Sequence, residues 1–106
     1  MKAMISQPMA GKTAEEIDET REAAIEELKK RGYEVQNTCY NDDWCEDMEK
    51  THKDADRLAL CLLARSLFDM SRCDAVYFCK GWDNTRGCRI EYFAALSYNL
   101  DILYES

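Results

Sequence analysis

An acid set early in an otherwise apolar segment is a candidate for chemistry rather than for solubility. In the stretch GWDNTRGCRIEYFAALSYN, Gly81 to Asn99, a polar loop with two glycines runs into a helix-patterned segment. Glu91 lies just inside the start of that segment. With Asn84 or Thr85 as the N-cap, side chains lean back toward the helix start and bring Glu91 over position 87. Position 87 is a glycine, so no side chain blocks that path. The carboxylate is then expected to point into a crevice, with the helix dipole and nearby N–H groups favouring its ionised form. An oriented, partly desolvated carboxylate can attack an anomeric carbon, dividing one hard step into two through a covalent intermediate. The plainer reading is a surface glutamate that supports the helix and pairs with Arg86 or Arg89.

The elements that would position Glu91 read β-α-β-α-β-α-β. KAMIS is a first strand, stopped by Pro8 and Gly11. Thr13 opens a helix and Glu16 completes a capping box; Ile17, Ala24, Ile25 and Leu28 follow at helical spacing until Gly32. YEVQN is the second strand. Residues 39–54 have no clean period and read as a long polar loop carrying Tyr40 and Trp44, a length that is more often functional than idle. A helix is expected from about Ala55 to Met70, then DAVYFC as a central parallel strand, the Glu91 helix, and DILYE as the last strand. Such alternation implies an α/β, Rossmann-like three-layer sandwich: a mainly parallel sheet of four to five strands with helices on both faces. Ligands of these sheets sit outside the carboxyl ends of the strands, where strand order reverses. The loops SQPMAGKT and CKGWDNTRG occupy that edge.

Bulk composition narrows the classes. A chain of 106 residues makes one domain, 1–106, with a thin core. A formal charge of −7 leaves no basic excess for a nucleic-acid polymer, although a small anion is still compatible with backbone N–H groups at a helix start. No run reaches the roughly 18–20 apolar residues of a membrane span. The opening MKAMISQPMAGK lacks the apolar core of a signal peptide. The six cysteines lie partly in apolar patterns, as in LALCLLA and AVYFC, which suits a reduced, cytoplasmic protein. Cys39, Cys45 and His52 are an alternative zinc set, but no CxxC pair is present; His52 reads better as a solvated residue, and neither metal nor cofactor is expected.

Two of these segments resemble a known family. ISQPMAGKT is similar to a first-strand loop, and CDAVYFCKGWDNTRGCRIEYFAAL to the strand–loop–helix signature, of the nucleoside 2-deoxyribosyltransferase-like superfamily. The likeness is closest to its short branch of domains of unknown function in bacteria and phages. It implies a Rossmann-like fold and cleavage of an N-glycosidic bond in a nucleoside or nucleotide, through a glutamyl intermediate, to another base or to water. Glu91 matches the family nucleophile and Gly87 the glycine before it. The first-strand loop, Ser6, Gln7, Pro8 and Met9, would hold sugar or phosphate. Thr85 stands where transferases carry an aspartate and nucleotide hydrolases a phosphate-contacting serine. Ser66 stands where the family has an aspartate acting on the leaving base, with Asp69 off register. Gln7 replaces the usual glycine of the first loop.

The turn residues have double readings as well. Trp82 stacks on a base or covers a core edge; Asp83 and Asn84 bond ribose hydroxyls or simply make a turn. Three functions follow: an N-glycosidic-bond enzyme, a catalytically lapsed nucleotide-binding or sensing module, and a scaffold for protein contacts. The apolar final helix favours a homodimer or larger assembly.

Overall fold

The computed structural model describes residues 1–36 and 54–106. The expected polar loop up to residue 53, with Tyr40, Trp44 and the alternative zinc ligands Cys39, Cys45 and His52, lies outside the described residues.

Each element forms for a local reason. β1, Lys2–Ser6, ends where Pro8 cannot donate to a ladder. α1, Ala14–Lys30, is capped by Thr13, whose hydroxyl accepts from the Glu16 N–H at 3.1 Å. Its first turn is acidic and its last turn basic, in the sense the helix dipole favours. Gly32 follows at φ 86°, a conformation that glycine adopts without strain. β2 is shorter than expected: its ladder covers only Glu34–Val35, paired with Lys2 and Ala3. α2, Ala55–Met70, has the expected bounds and starts at Asp54, which caps the Arg57 N–H at 2.9 Å. β3, Ala75–Phe78, is buried along its whole length, as a central strand covered on both faces must be. A 3-10 turn, Trp82–Asn84, leads into α3, Arg86–Ser97. Asn99, at φ 61°, turns the chain out of that helix into β4, Asp101–Tyr104.

The four strands form one parallel sheet in the order β2-β1-β3-β4. Beneath α1, Ala3, Ile5, Tyr77 and Cys79 pack with Ala24 and Leu28. On the other face Met4, Val76 and Phe78 pack with Met70 and Ala95. This is the α/β, Rossmann-like sandwich, with the chain crossing from one side of β1 to the other between β2 and β3. No helix among the described residues is long and apolar enough to cross a membrane.

Because the Thr13 hydroxyl satisfies a helix-start N–H, Thr13→Ala is expected to cost about 1 kcal/mol of unfolding free energy. Urea titration reads this as a lower midpoint with an unchanged slope.

Candidate functional site

Strand order reverses between β1 and β3, so the carboxyl ends of these two strands frame the crevice in which such sheets hold ligands. Ser6 and Phe78 are the last register partners there, and the Cys79 N–H still bonds the Ser6 carbonyl at 2.9 Å. Two loops leave this edge and touch. A Cβ on Gly81, which sits at φ 90°, would lie 3.4 Å from the Pro8 ring, so the loops abut through a glycine and a buried proline. Met9 is exposed at the tip of the first loop. Gln7 is buried, its Nε2 donating to the Ile17 carbonyl of α1 at 3.0 Å, while its Oε1 has no partner. That bond is open only to the amide nitrogen, which settles which way the side chain faces.

Glu91 lies on the inward face of α3 with Cys88 and Ala95, and is 9% exposed. The surface-pair reading therefore falls. Arg86 instead bridges to Asp56 of α2 at 3.2 Å, and no ion pair among the described residues reaches Glu91. Its carboxyl faces the Ser6 hydroxyl, which is 2% exposed and lacks a hydrogen bond of full geometry, though it is near enough to lower the pKa of both Glu91 and Cys88.

Burial outweighs that help and pushes Glu91 up from the ordinary carboxylate range to about 7. The expectation that the helix start would keep it ionised is thus overturned. A helix dipole contributes roughly 0.3–1 kcal/mol, less than the cost of desolvating a carboxylate. The expected cap also differs. Thr85 holds the N-cap position, but its Oγ1 donates to the Trp82 carbonyl at 3.1 Å and caps no N–H of α3.

A groove of about 340 Å³ runs between the starts of α2 and α3, walled by Arg57, Leu60 and Leu63 on one side and Arg86, Gly87 and Ile90 on the other. A Cβ built on Gly87 meets nothing within 4 Å. Nothing in the described protein packing calls for a glycine there, although glycine weakens a helix. Glu91 stands one turn beyond Gly87, rotated toward the sheet. An apolar cleft of about 450 Å³ between the ends of α2 and α3, lined by Leu67, Met70 and Leu100 among others, lies at the opposite edge. It presents no carboxyl, imidazole or thiol to a substrate.

The remaining sequence candidates separate. Trp82 stacks on Tyr92 with centroids 4.3 Å apart and tilts against Phe78, so its ring covers a core edge. Asp83 and Asn84 are exposed in the turn. Asp69 is buried near Cys73, whose charged neighbours include Lys2 and Asp74 at the amino ends of β1 and β3. Lys2 and Ser6 are about 13 Å apart along the strand, so Asp69 and Glu91 stand at opposite edges of the sheet. Ser66 is buried on α2.

Cys88 is the neighbour that sequence reasoning passed over. Its position three residues before Glu91 was the available signal, since it shares Glu91's helical face. Burial raises the Cys88 thiol, and pushes Cys73 to about 11 and Cys79 to about 12. All three are poor nucleophiles at neutral pH.

A raised carboxyl pKa means the folded state holds a proton that the unfolded state has released between about pH 4.5 and pH 7. Stability therefore falls as pH rises through that window. Glu91→Gln removes the penalty, so it is expected to stabilise the protein by on the order of 3 kcal/mol at pH 8 and little at pH 4.5, read by denaturant unfolding at both. Gly87→Ala is expected to add about 0.5–1 kcal/mol, seen as a higher thermal midpoint.

The model of the family described as Domain of unknown function (DUF4406) matches residues 1–104, and the chain belongs to that family. No curated protein and no solved structure matches.

Proposed function

We propose that this member of the family cleaves the N-glycosidic bond of a nucleoside or nucleotide, with Glu91 as the attacking group. The observation that carries the reading is a buried carboxyl without a cationic partner among the described residues, set against a buried hydroxyl where strand order reverses. That arrangement costs stability, and groups kept at such a cost are typically kept for chemistry. The open space over Gly87 and the likeness of ISQPMAGKT and CDAVYFCKGWDNTRGCRIEYFAAL to nucleoside 2-deoxyribosyltransferase-like segments support it further.

In the proposed reaction a Glu91 oxygen bonds to the anomeric carbon while the bond from that carbon to the base nitrogen breaks. The base departs with the electron pair and takes a proton from solvent. Water or a second base then attacks the same carbon and gives up a proton to solvent, the ester C–O bond breaks with its electron pair on the Glu91 oxygen, and the carboxylate is restored. Substrate-binding roles for Gln7, Pro8, Met9, Trp82, Asp83, Asn84, Thr85 and Gly87 belong to this proposal. So does self-association through the exposed stripe Ile90, Phe93 and Leu96 of α3.

One observation favours a second reading. Asp69, the acid nearest in sequence to the family's leaving-group position, is at the wrong edge of the sheet. Loss of general acid help costs roughly 10²–10⁴-fold, and a module that only binds nucleotide would need none.

Incubation with pooled nucleosides and nucleoside monophosphates separates the two. Glycosidic cleavage yields free base by chromatography, at a rate that climbs as pH rises through about 7, where Glu91 ionises. Glu91→Gln should lose at least about a thousand-fold of that rate, and a 2-fluoro sugar analogue should leave an adduct on Glu91. Nucleotide that raises the thermal midpoint without releasing base, in wild type and Glu91→Gln alike, selects the binding module instead.

A further inference from the structure

We infer that Ser6 is a positioning residue for Glu91: its sealed hydroxyl donates to the ionised carboxylate and holds it in one orientation for attack. The inference rests on the reading of Glu91 as the attacking group. Ser6 is the last ladder residue of β1, in register with Phe78. In a strand, residues two apart share a face, so Ser6 points the same way as Met4, into the layer that packs beneath α3 with Val76, Phe78 and Ala95. Glu91 and Cys88 enter that layer from the helix side.

A buried hydroxyl without a partner is uncommon, and this one has its donor to give. Cys88, the titratable neighbour from α3, has a second hydroxyl close by in Thr85, which also lowers its pKa. For Glu91 the hydroxyl of Ser6 alone works against desolvation. Because Ser6 is only 2% exposed, it does not reach a ligand across the crevice and acts through the carboxyl. The donated bond is stronger to the ionised form than to the neutral acid, so it favours the state that attacks.

The test is the titration of Glu91 followed by NMR with ¹³C-labelled glutamate side chains, its signal identified by loss in Glu91→Gln. This needs no substrate. Ser6→Ala is expected to raise the Glu91 midpoint by about one pH unit, and Ser6→Thr, which keeps the hydroxyl, to return it. On a substrate that wild type cleaves, Ser6→Ala should lower kcat about tenfold at pH 7, with KM little changed and the rising limb of the pH profile displaced upward. If Ser6→Ala does not fold, Ser6→Cys, a weaker donor of similar size, should move the midpoint the same way by less. A Glu91 midpoint unmoved in the folded variant overturns the inference whatever the activity. A moved midpoint with no base released by wild type upholds the Ser6–Glu91 contact and overturns the proposed function.

Discussion

Desolvation of a single carboxyl is the constraint around which the carboxyl edge of this sheet is built. Glu91 is on the inward face of α3, where its neighbours are a strand end, a thiol and a hydroxyl. A carboxyl in such a place must either find a cation, find donors or hold its proton. No cation reaches it among the described residues, and burial raises its pKa to near neutrality. The protein thus carries at its strand-order reversal a group that changes charge within the ordinary range of pH.

The surroundings of that carboxyl follow from the parallel sheet. Parallel strands bring all their carboxyl ends to one edge, and the loops that leave β1 and β3 must pass each other there. Gly81 meets Pro8 there at φ 90°, a backbone conformation that glycine adopts without strain. On the far side of α3, the stack of Trp82 on Tyr92 and Phe78 seals the same helix against the sheet. This edge is packed by aromatic rings and by the fully buried strand β3, rather than tied by salt bridges. The three ion pairs among the described residues are at least partly exposed or lie elsewhere, and exposed pairs contribute little.

Much of the fold was legible because its signals are local. The Thr13 cap, the helical spacing from Ile17 to Leu28, the bounds of α2 and the unbroken apolar run of β3 each depend on neighbours a few residues away. Alternation of these elements was enough to imply parallel strands and the edge at which a site would lie. The position of Glu91 one turn beyond Gly87 was likewise readable, since helical geometry relates such positions directly.

What the sequence by itself determined, then, is the succession of elements, the central place of β3 and the seat of an acid near the start of α3. Tertiary structure decided the rest: that Glu91 is buried and protonates near neutrality, that Thr85 bonds backward instead of capping, that Trp82 stacks on Tyr92, and that Asp69 stands at the opposite edge. Apart from the Thr85 bond to Trp82, which is local, these turn on how separate elements pack against one another. Local propensity reports which backbone a residue prefers, whereas desolvation and partner choice depend on what the completed fold brings against it.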